Sequence, residues 1–168
     1  MRGSIVHVVS STRLERGGPS LSVTQLIENL ESLGQSCILV SPDHVCGSDE
    51  FAQVRSRTCK SIDELRTLVP SPSIVGLHIH GIWDLELHRA TAYARKHKLP
   101  YAISPHGMLE PWALRQKAWK KRLALSLYQY SDLKRATLIH GTADSETEQV
   151  NKLGLSNPKV TIPNGVTI

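Results

Sequence analysis

Four histidines lie at the ends of short apolar runs, where they could contact a ligand. His78 and His80 end the run 74–80, and His106 and His140 are at or just after the ends of two further runs. Residues two apart in a strand point to the same face, so the first pair could meet one ligand or one metal ion. We expect one of the two to face a cleft and the other to pack or to form a hydrogen bond. The spacing matches none of the common zinc patterns, and no carboxylate cluster accompanies it, so we predict no metal site.

His106 is in the sequence Ser104-Pro105-His106-Gly107-Met108, directly after an apolar run. A histidine held by a preceding proline and followed by a glycine is well placed to touch a ligand above a sheet. A structural role in the loop is the alternative interpretation.

A glycine-rich turn, Gly17-Gly18-Pro19-Ser20, separates the first apolar run from the first helical pattern. Two glycines let backbone amides approach a ligand closely, and a helix N-terminus carries a partial positive charge that suits phosphate. The turn is neither a Gly-x-Gly-x-x-Gly nor a Walker sequence, so a plain turn remains the alternative.

A basic run with two tryptophans extends from Trp112 to Leu123. A solvated basic face is the ordinary interpretation of such a run, and an interfacial helix on anionic lipid is the alternative. No nucleic-acid-binding module is recognisable, so we predict no nucleic-acid partner. The candidate membrane face consists of Arg115, Lys117, Trp119, Lys120, Lys121 and Arg122.

The elements that must position these residues alternate between short apolar runs and helical periods. Strands that are apolar on both faces and separated by helices indicate a parallel sheet covered on both sides. We therefore predict a three-layer, doubly wound, Rossmann-like α/β fold, in which ligands bind at the carboxyl ends of the strands. The predicted strands are at 5–10, 37–41, 74–80, 101–104, 137–140 and 160–162, with a short one near Val54, and the predicted helices are at 23–33, 61–68, 84–98, 110–130 and 145–153.

The composition is that of a globular domain. The 168 residues are 40% hydrophobic and 21% charged, and the formal charge of +5 favours an acidic partner such as a phosphate-bearing substrate or an anionic membrane. Three cysteines without metal-type spacing fit a reducing, cytosolic compartment. We see no signal peptide and no apolar stretch near the roughly 20 residues that span a bilayer.

The residues 160–166 read as a buried strand that runs into the Asn164-Gly165 turn, and the sequence stops two residues later. Such a turn usually begins a further element. A C-terminal strand with a frayed tail is the alternative. Together with the motifs upstream, the turn leads us to expect a cut at a domain boundary, with this chain forming part of a larger enzyme.

The motifs together resemble the amino-terminal half of family-4-type retaining glycosyltransferases. The resemblance covers essentially the whole chain, and its elements are modest singly but specific in this order. It is carried by Gly17-Gly18-Pro19, His80-Gly81-Ile82-Trp83, Pro105-His106-Gly107-Met108-Leu109-Glu110-Pro111-Trp112-Ala113-Leu114, Lys120-Lys121 and Ile162-Pro163-Asn164-Gly165-Val166.

The resemblance implies one half of a GT-B fold, in which two Rossmann-like domains face one cleft. It implies that residues 1–168 are the acceptor-side domain, with Gly17 and Gly18 by the donor diphosphate and His106 at the reaction centre. It also implies that His80, Gly107, Asn164 and Gly165 contact the substrates. The expected partners are a nucleotide-sugar donor, which needs no metal cofactor, and a saccharide or lipid-linked acceptor of cell-surface polysaccharide synthesis.

The chain departs from the family pattern because it has no basic pair for the diphosphate followed by a Glu-x7-Glu signature. We therefore expect the isolated domain to be inactive. We also expect the full protein to lie in the cytoplasm, at most peripherally on the inner membrane. A stand-alone flavodoxin-like binding module is the alternative. A metallohydrolase built on His78, His80 and His106 is the third possibility.

Overall fold

The computed structural model describes residues 3–13, 18–43, 57–70 and 73–165. They form a seven-stranded, wholly parallel sheet with strand order β3-β2-β1-β4-β5-β6-β7. The predicted doubly wound α/β fold is confirmed. The strands are β1 (Ser4–Val9), β2 (Cys37–Val40), β3 (Arg57–Cys59), β4 (Ile74–His80), β5 (Tyr101–Ser104), β6 (Leu138–Gly141) and β7 (Lys159–Thr161).

Helices connect the strands and cover the sheet. The helical segments are α1 (Gly18–Ser32), α2 (Ile62–Leu68), α3 (Leu85–Lys96), α4 (Pro111–Arg115), α5 (Ala118–Ala124), a π-helical segment (Leu125–Gln129), α6 (Tyr130–Lys134) and α7 (Asp144–Lys152).

Strand β3 was not predicted, because residues 42–57 are polar and carry no clear period. The short strand predicted near Val54 lies outside the described residues. The other six strands and the start of α2 are confirmed. Ser61 caps α2 by accepting a hydrogen bond from the Glu64 N–H at 3.1 Å, as the capping-box pattern predicts.

The two faces of the sheet bury different side chains. Val6 and Val8 of β1 point into the larger core, which also contains residues of α2, α3, α6 and α7. His7 and Val9 point to the opposite face, because side chains alternate along a strand. On that face, Val9 packs with Val23 and Ile27 of α1 in a smaller core.

The chain reverses its direction of winding between β1 and β4, which are adjacent in the sheet although 64 residues of sequence, 10–73, lie between them. The register pairs His7 with His78 and Val9 with His80. This adjacency is the topological switch point, where ligands bind in doubly wound sheets.

The prediction of one long helix over 110–130 is wrong about its continuity, because the structure breaks the helix between α4 and α5. Gln116 is extended (ψ 123°), and Lys117 has a left-handed backbone with φ 50°. Helix α4 therefore ends at Arg115, and the chain changes direction before α5 begins. The break has a local consequence: Lys121 Nζ reaches back from α5 and donates a hydrogen bond to the Ala113 carbonyl at 2.5 Å.

Candidate functional site

A pocket of about 380 Å³ opens beside α1 at the carboxyl ends of β4 and β6. It brings together four residues that the sequence singled out for substrate contact or catalysis: His80, His106, Asn164 and Gly165. Helix α1 contributes polar side chains to the same pocket, among them Gln25 and Asn29. Residues far apart in the sequence thus share one concave surface at the edge where such folds bind ligands.

The other predicted ligand contacts lie near this pocket or outside the described residues. Gly18 is the first residue of α1, one turn before the pocket-lining Ser22. Gly17, predicted to lie by a diphosphate, is outside the described residues. Gly107 follows His106 but does not line the pocket, and its N–H donates to the carboxylate of Glu146.

His106 is held in an uncommon backbone conformation. Its φ is 50° and that of Gly107 is 74°, so two consecutive residues adopt the left-handed region. Such conformations persist only where surrounding contacts impose them, and they are common at functional sites. Contacts that hold this turn include the hydrogen bond from the Gly107 N–H to Glu146 and that from the Met108 N–H to the Pro105 carbonyl at 3.1 Å.

Glu146 is a residue of the site that sequence reasoning missed. It is buried in the first turn of α7 and accepts hydrogen bonds from the Thr142 N–H at 2.6 Å and the Thr142 hydroxyl at 3.0 Å. One carboxylate therefore joins the loop after β5 to the loop after β6. Its position in the first turn of a helix that follows a strand was the available signal, because carboxylates there commonly accept backbone N–H groups.

A chain of three imidazoles leads from the sheet interior to the pocket. His7 Nδ1 lies 3.1 Å from His80 Nε2, and His80 Nδ1 lies 3.2 Å from His106 Nε2. His7 is 1% exposed, and its Nε2 has no hydrogen-bond partner among the residues that the structure describes. His7 was not singled out in the sequence, where it stands as one residue of an apolar strand.

A second chain of hydrogen bonds runs through His78. Its Nε2 lies 2.8 Å from Ser104 Oγ, which lies 2.8 Å from His140 Nδ1, and His140 Nε2 lies 2.9 Å from the Ile162 carbonyl. A carbonyl can only accept, so His140 Nε2 carries a proton. When His140 is neutral, Ser104 must donate to its Nδ1 and accept from His78 Nε2. His78 then has its proton on Nε2 and a lone pair on Nδ1.

Burial keeps His7, His78, His80 and His106 neutral at pH 7. It lowers the pKa of His7 to about 4 and the pKa values of His78 and His80 well below their usual value. The pKa of His106 is also lowered by burial, although the nearby Glu146 opposes the shift. A neutral imidazole at the pocket can accept a hydrogen bond from a hydroxyl group.

Asp43, just beyond β2, organises the loop after β1. Its carboxylate accepts hydrogen bonds from the Ser11 hydroxyl at 2.5 Å and from the Thr12 N–H at 3.0 Å. Burial alone would raise the pKa of Asp43. The two hydrogen bonds, a third from Ser41 and the charge of Arg13 together outweigh the effect of burial, so the pKa is lowered. The carboxylate thus fixes the segment that leads toward the glycine-rich turn.

The basic run lies on α4 and α5, outside the pocket. Arg115, Lys117, Trp119, Lys120 and Arg122 are exposed, as predicted for a surface face. Lys121 departs from that prediction: it is half-buried, and besides the Ala113 carbonyl its Nζ contacts the Trp83 ring at 5.8 Å from the centroid.

Large apolar side chains are exposed beside these cations. Trp119, Leu123 and Leu127 are 68%, 52% and 69% exposed, and Trp112 on α4 is 63% exposed. The spacing of four residues places the first three on one side of the helix. None of the helices among the described residues combines the length and the apolarity that crossing a bilayer requires.

Comparisons with known proteins agree on the type of domain. A family model described as glycosyl transferase 4-like domain matches residues 17–165. No curated protein sequence matches the chain.

Solved structures share the fold at low sequence identity. HepE from Anabaena, in complex with UDP and glucose, is 13% identical with a TM-score of 0.67 over 98% of this chain and 45% of that chain. Sucrose-phosphate synthase from Thermosynechococcus elongatus is 14% identical with a TM-score of 0.70, and the match covers 99% of this chain and 49% of that chain. UGT2 from Phytolacca americana, complexed with UDP-2fluoro-glucose and pterostilbene, is 13% identical with a TM-score of 0.60. The match covers 99% of this chain and 53% of that chain. The chain spans about half the length of each.

Proposed function

The chain belongs to the glycosyl transferase 4-like family, and from that premise we propose that it is the acceptor-side domain of a nucleotide-sugar-dependent, retaining glycosyltransferase. The observation that carries the proposal is the pocket in which His80, His106, Asn164 and Gly165 converge at the switch point of the sheet. The proposed acceptor is a saccharide or a lipid-linked saccharide of a cell-surface polysaccharide. A second α/β domain, downstream of residue 168, would hold most of the donor.

The chemistry of this proposal requires positioning and charge stabilisation. A sugar leaves a nucleoside diphosphate when the negative charge that develops on the phosphates is stabilised. Without a metal at the diphosphate, backbone amides and helix N-termini supply part of this stabilisation, and α1, which begins at Gly18, offers both. The second domain would supply the rest.

His106 acts on the acceptor side in this proposal. As a neutral imidazole beside the pocket, it forms a hydrogen bond with a hydroxyl group of the acceptor and so orients the nucleophile. Glu146 holds the His106 loop through Gly107 and is therefore a positioning residue. No covalent nucleophile is required of this domain.

The proposal is tested with the protein encoded by the continuous reading frame that contains these 168 residues. Release of nucleoside diphosphate from a panel of nucleotide-sugars is measured with and without saccharide and lipid-linked acceptors. Acceptor-dependent release is expected. A stop codon directly after Ile168, with binding of a phosphorylated ligand and no turnover, would instead support the stand-alone binding module.

We further propose that α4, α5 and the π-helical segment dock this enzyme on the anionic cytoplasmic leaflet. Exposed cations and exposed Trp119, Leu123 and Leu127 lie side by side, as in interfacial helices. Each cation near an anionic surface contributes about 1 kcal/mol, and the attraction acts within a Debye length of about 8 Å at physiological ionic strength. Docking of this kind is reversible and sensitive to salt.

Co-sedimentation with vesicles of phosphatidylcholine and phosphatidylserine tests the docking. Wild type is expected to bind at low salt and to dissociate at high salt. A variant with Arg115, Lys117, Lys120 and Arg122 changed to Gln should lose binding. A matched variant with the exposed Lys96, Lys98, Lys134 and Arg135 changed to Gln removes the same charge elsewhere. Equal behaviour of the two variants would show that only net charge matters and would refute the docking face.

A further inference from the structure

His7, His78 and His80 form a compact cluster, of which the sequence had singled out only His78 and His80. His7 is on β1, and the other two are on the adjacent β4, with His7 in register with His78. One ring nitrogen from each residue lies within 4.8 Å of the corresponding nitrogens of the other two. The ring centroids of His78 and His80 are 4.0 Å apart, and that of His7 lies 5.5 Å and 5.4 Å from them.

The distances suit a four-coordinate metal ion. Zinc–nitrogen bonds of about 2.0–2.1 Å in a tetrahedron place two ligand atoms about 3.3 Å apart. His7 Nδ1 and His80 Nε2 are separated by 3.1 Å. An ion between them therefore needs little change in the backbone, and His78 completes a set of three imidazoles by a small rotation.

The cluster also offers a lone pair and supporting hydrogen bonds. When His140 is neutral, the hydrogen bonds of Ser104 leave a lone pair on His78 Nδ1. His78 and His80 use their other ring nitrogens on Ser104 and His106, at 2.8 Å and 3.2 Å. Such outer hydrogen bonds fix the orientation of metal-binding histidines in known sites.

We propose that His7, His78 and His80 bind one divalent ion of the zinc class. Three nitrogen ligands favour zinc, cobalt, nickel or copper over calcium and magnesium, which prefer oxygen ligands. Three protein ligands leave a fourth position for water or another ligand. His80 lines the 380 Å³ pocket, and His7 and His78 line an apolar hollow of about 540 Å³, so an ion can reach the cluster from either cavity.

This site differs from the metal site rejected on sequence grounds, which would have used His106. Binding of an ion by this chain is measured directly, so its test does not depend on the proposed transfer reaction. The ion would join β1 to β4 at the switch point. It would leave His80 Nδ1 protonated, which makes that nitrogen a donor to His106 Nε2.

The test is titration of the chelator-treated 168-residue chain with Co²⁺, followed by displacement with Zn²⁺. We expect one equivalent of Co²⁺ to give the intense visible bands of four-coordinate cobalt. His7→Gln, His78→Gln and His80→Gln should each weaken binding by more than the 10–100-fold that loss of an outer hydrogen bond costs, and Ser104→Ala should weaken it within roughly that range. His97→Gln, at the end of α3, is the matched control and should bind normally.

Circular dichroism on every variant separates loss of binding from loss of folding. His7→Gln replaces a fully buried side chain. If this variant does not fold, the His78→Gln variant, at a half-buried position, is measured instead. Absence of stoichiometric Co²⁺ and Zn²⁺ binding to the folded wild type would overturn the proposal. So would equal affinity in His78→Gln, His80→Gln and the His97→Gln control.

Discussion

At the scale of single residues, His106 combines three features that suit a reaction centre. It lines the pocket, it has a left-handed backbone, and burial lowers its pKa so that the ring is neutral at pH 7. Its conformation depends on Glu146, which binds the next residue. Side chain and loop conformation are thus fixed by different contacts, and substitutions can separate them.

The first prediction is that His106→Ala lowers turnover of the complete enzyme by about 100-fold or more, the range expected when a group that assists proton transfer or orientation is removed. The melting temperature should change little, because the ring is only partly buried. Steady-state kinetics and thermal unfolding are measured on the same preparation. Normal turnover together with a large loss of stability would assign His106 a structural role.

The second prediction concerns acid stability in the presence of a chelator. The unfolded chain protonates His7 near pH 6.5, whereas the folded chain does so only near pH 4. Between these values the unfolded state binds more protons, so the free energy of unfolding decreases as the pH falls from about 6.5 to 4. His7 alone contributes about 3 kcal/mol of this loss, and His78 and His80 act in the same direction.

Urea unfolding at a series of pH values measures this slope, and His7→Gln should flatten it. A free energy of unfolding that stays constant between pH 6.5 and 4.5 would contradict the assignment of neutral, buried imidazoles. Above pH 7 these residues should contribute no slope, because they are neutral in both states.

At the scale of elements, the break between α4 and α5 includes one residue in an unfavourable conformation, next to the extended Gln116. Lys117 has φ 50° and ψ 40°, a region that L-amino acids other than Asn and Asp rarely adopt. Its carbonyl accepts hydrogen bonds from the Lys120 and Lys121 N–H groups at 2.9 Å and 3.2 Å. These bonds tie Lys117 to the first turn of α5.

The third prediction is that Lys117→Gly raises the free energy of unfolding by about 1 kcal/mol, because glycine adopts the left-handed region without the Cβ penalty. Lys120→Gly removes the same charge from an exposed position inside α5 and should lower the free energy of unfolding by about 1 kcal/mol. Chemical denaturation of the two variants is compared with wild type. Equal destabilisation by both would mean that α4 and α5 form one continuous helix in solution.

At the scale of the whole molecule, the described residues form a seven-stranded sheet with two cores, and the chain has about half the length of the structures it resembles. A sheet of seven strands with buried faces meets the requirement for independent folding. The donor-binding half of the proposed enzyme would lie in a second domain.

The fourth prediction is that the 168-residue chain unfolds in one cooperative transition but transfers no sugar. Circular dichroism on heating measures the transition, and release of nucleoside diphosphate from nucleotide-sugars measures the activity. The reading-frame protein assayed in parallel serves as the positive control. Turnover by the 168 residues alone would refute the division of labour between two domains.

The sequence by itself determined the elements and the type of fold. Apolar runs such as 74–80 and the Ser61 capping box are local signals, because strands and helix starts depend on neighbouring residues. Their alternation predicted a doubly wound parallel sheet and the edge of the sheet where His80 and His106 lie. The family motifs, also local, led to the glycosyltransferase resemblance that the family match confirms.

Only the tertiary structure identified His7, Glu146 and Asp43 as partners in the site. His7 occupies one position of an apolar strand, and it meets His80 only because β4 pairs with β1 across 73 residues of sequence. Glu146 and Asp43 act on loops that belong to other strands. Strand order and loop contacts arise from long-range packing, and a pattern that repeats every two or 3.6 residues contains no information about which strand becomes the neighbour.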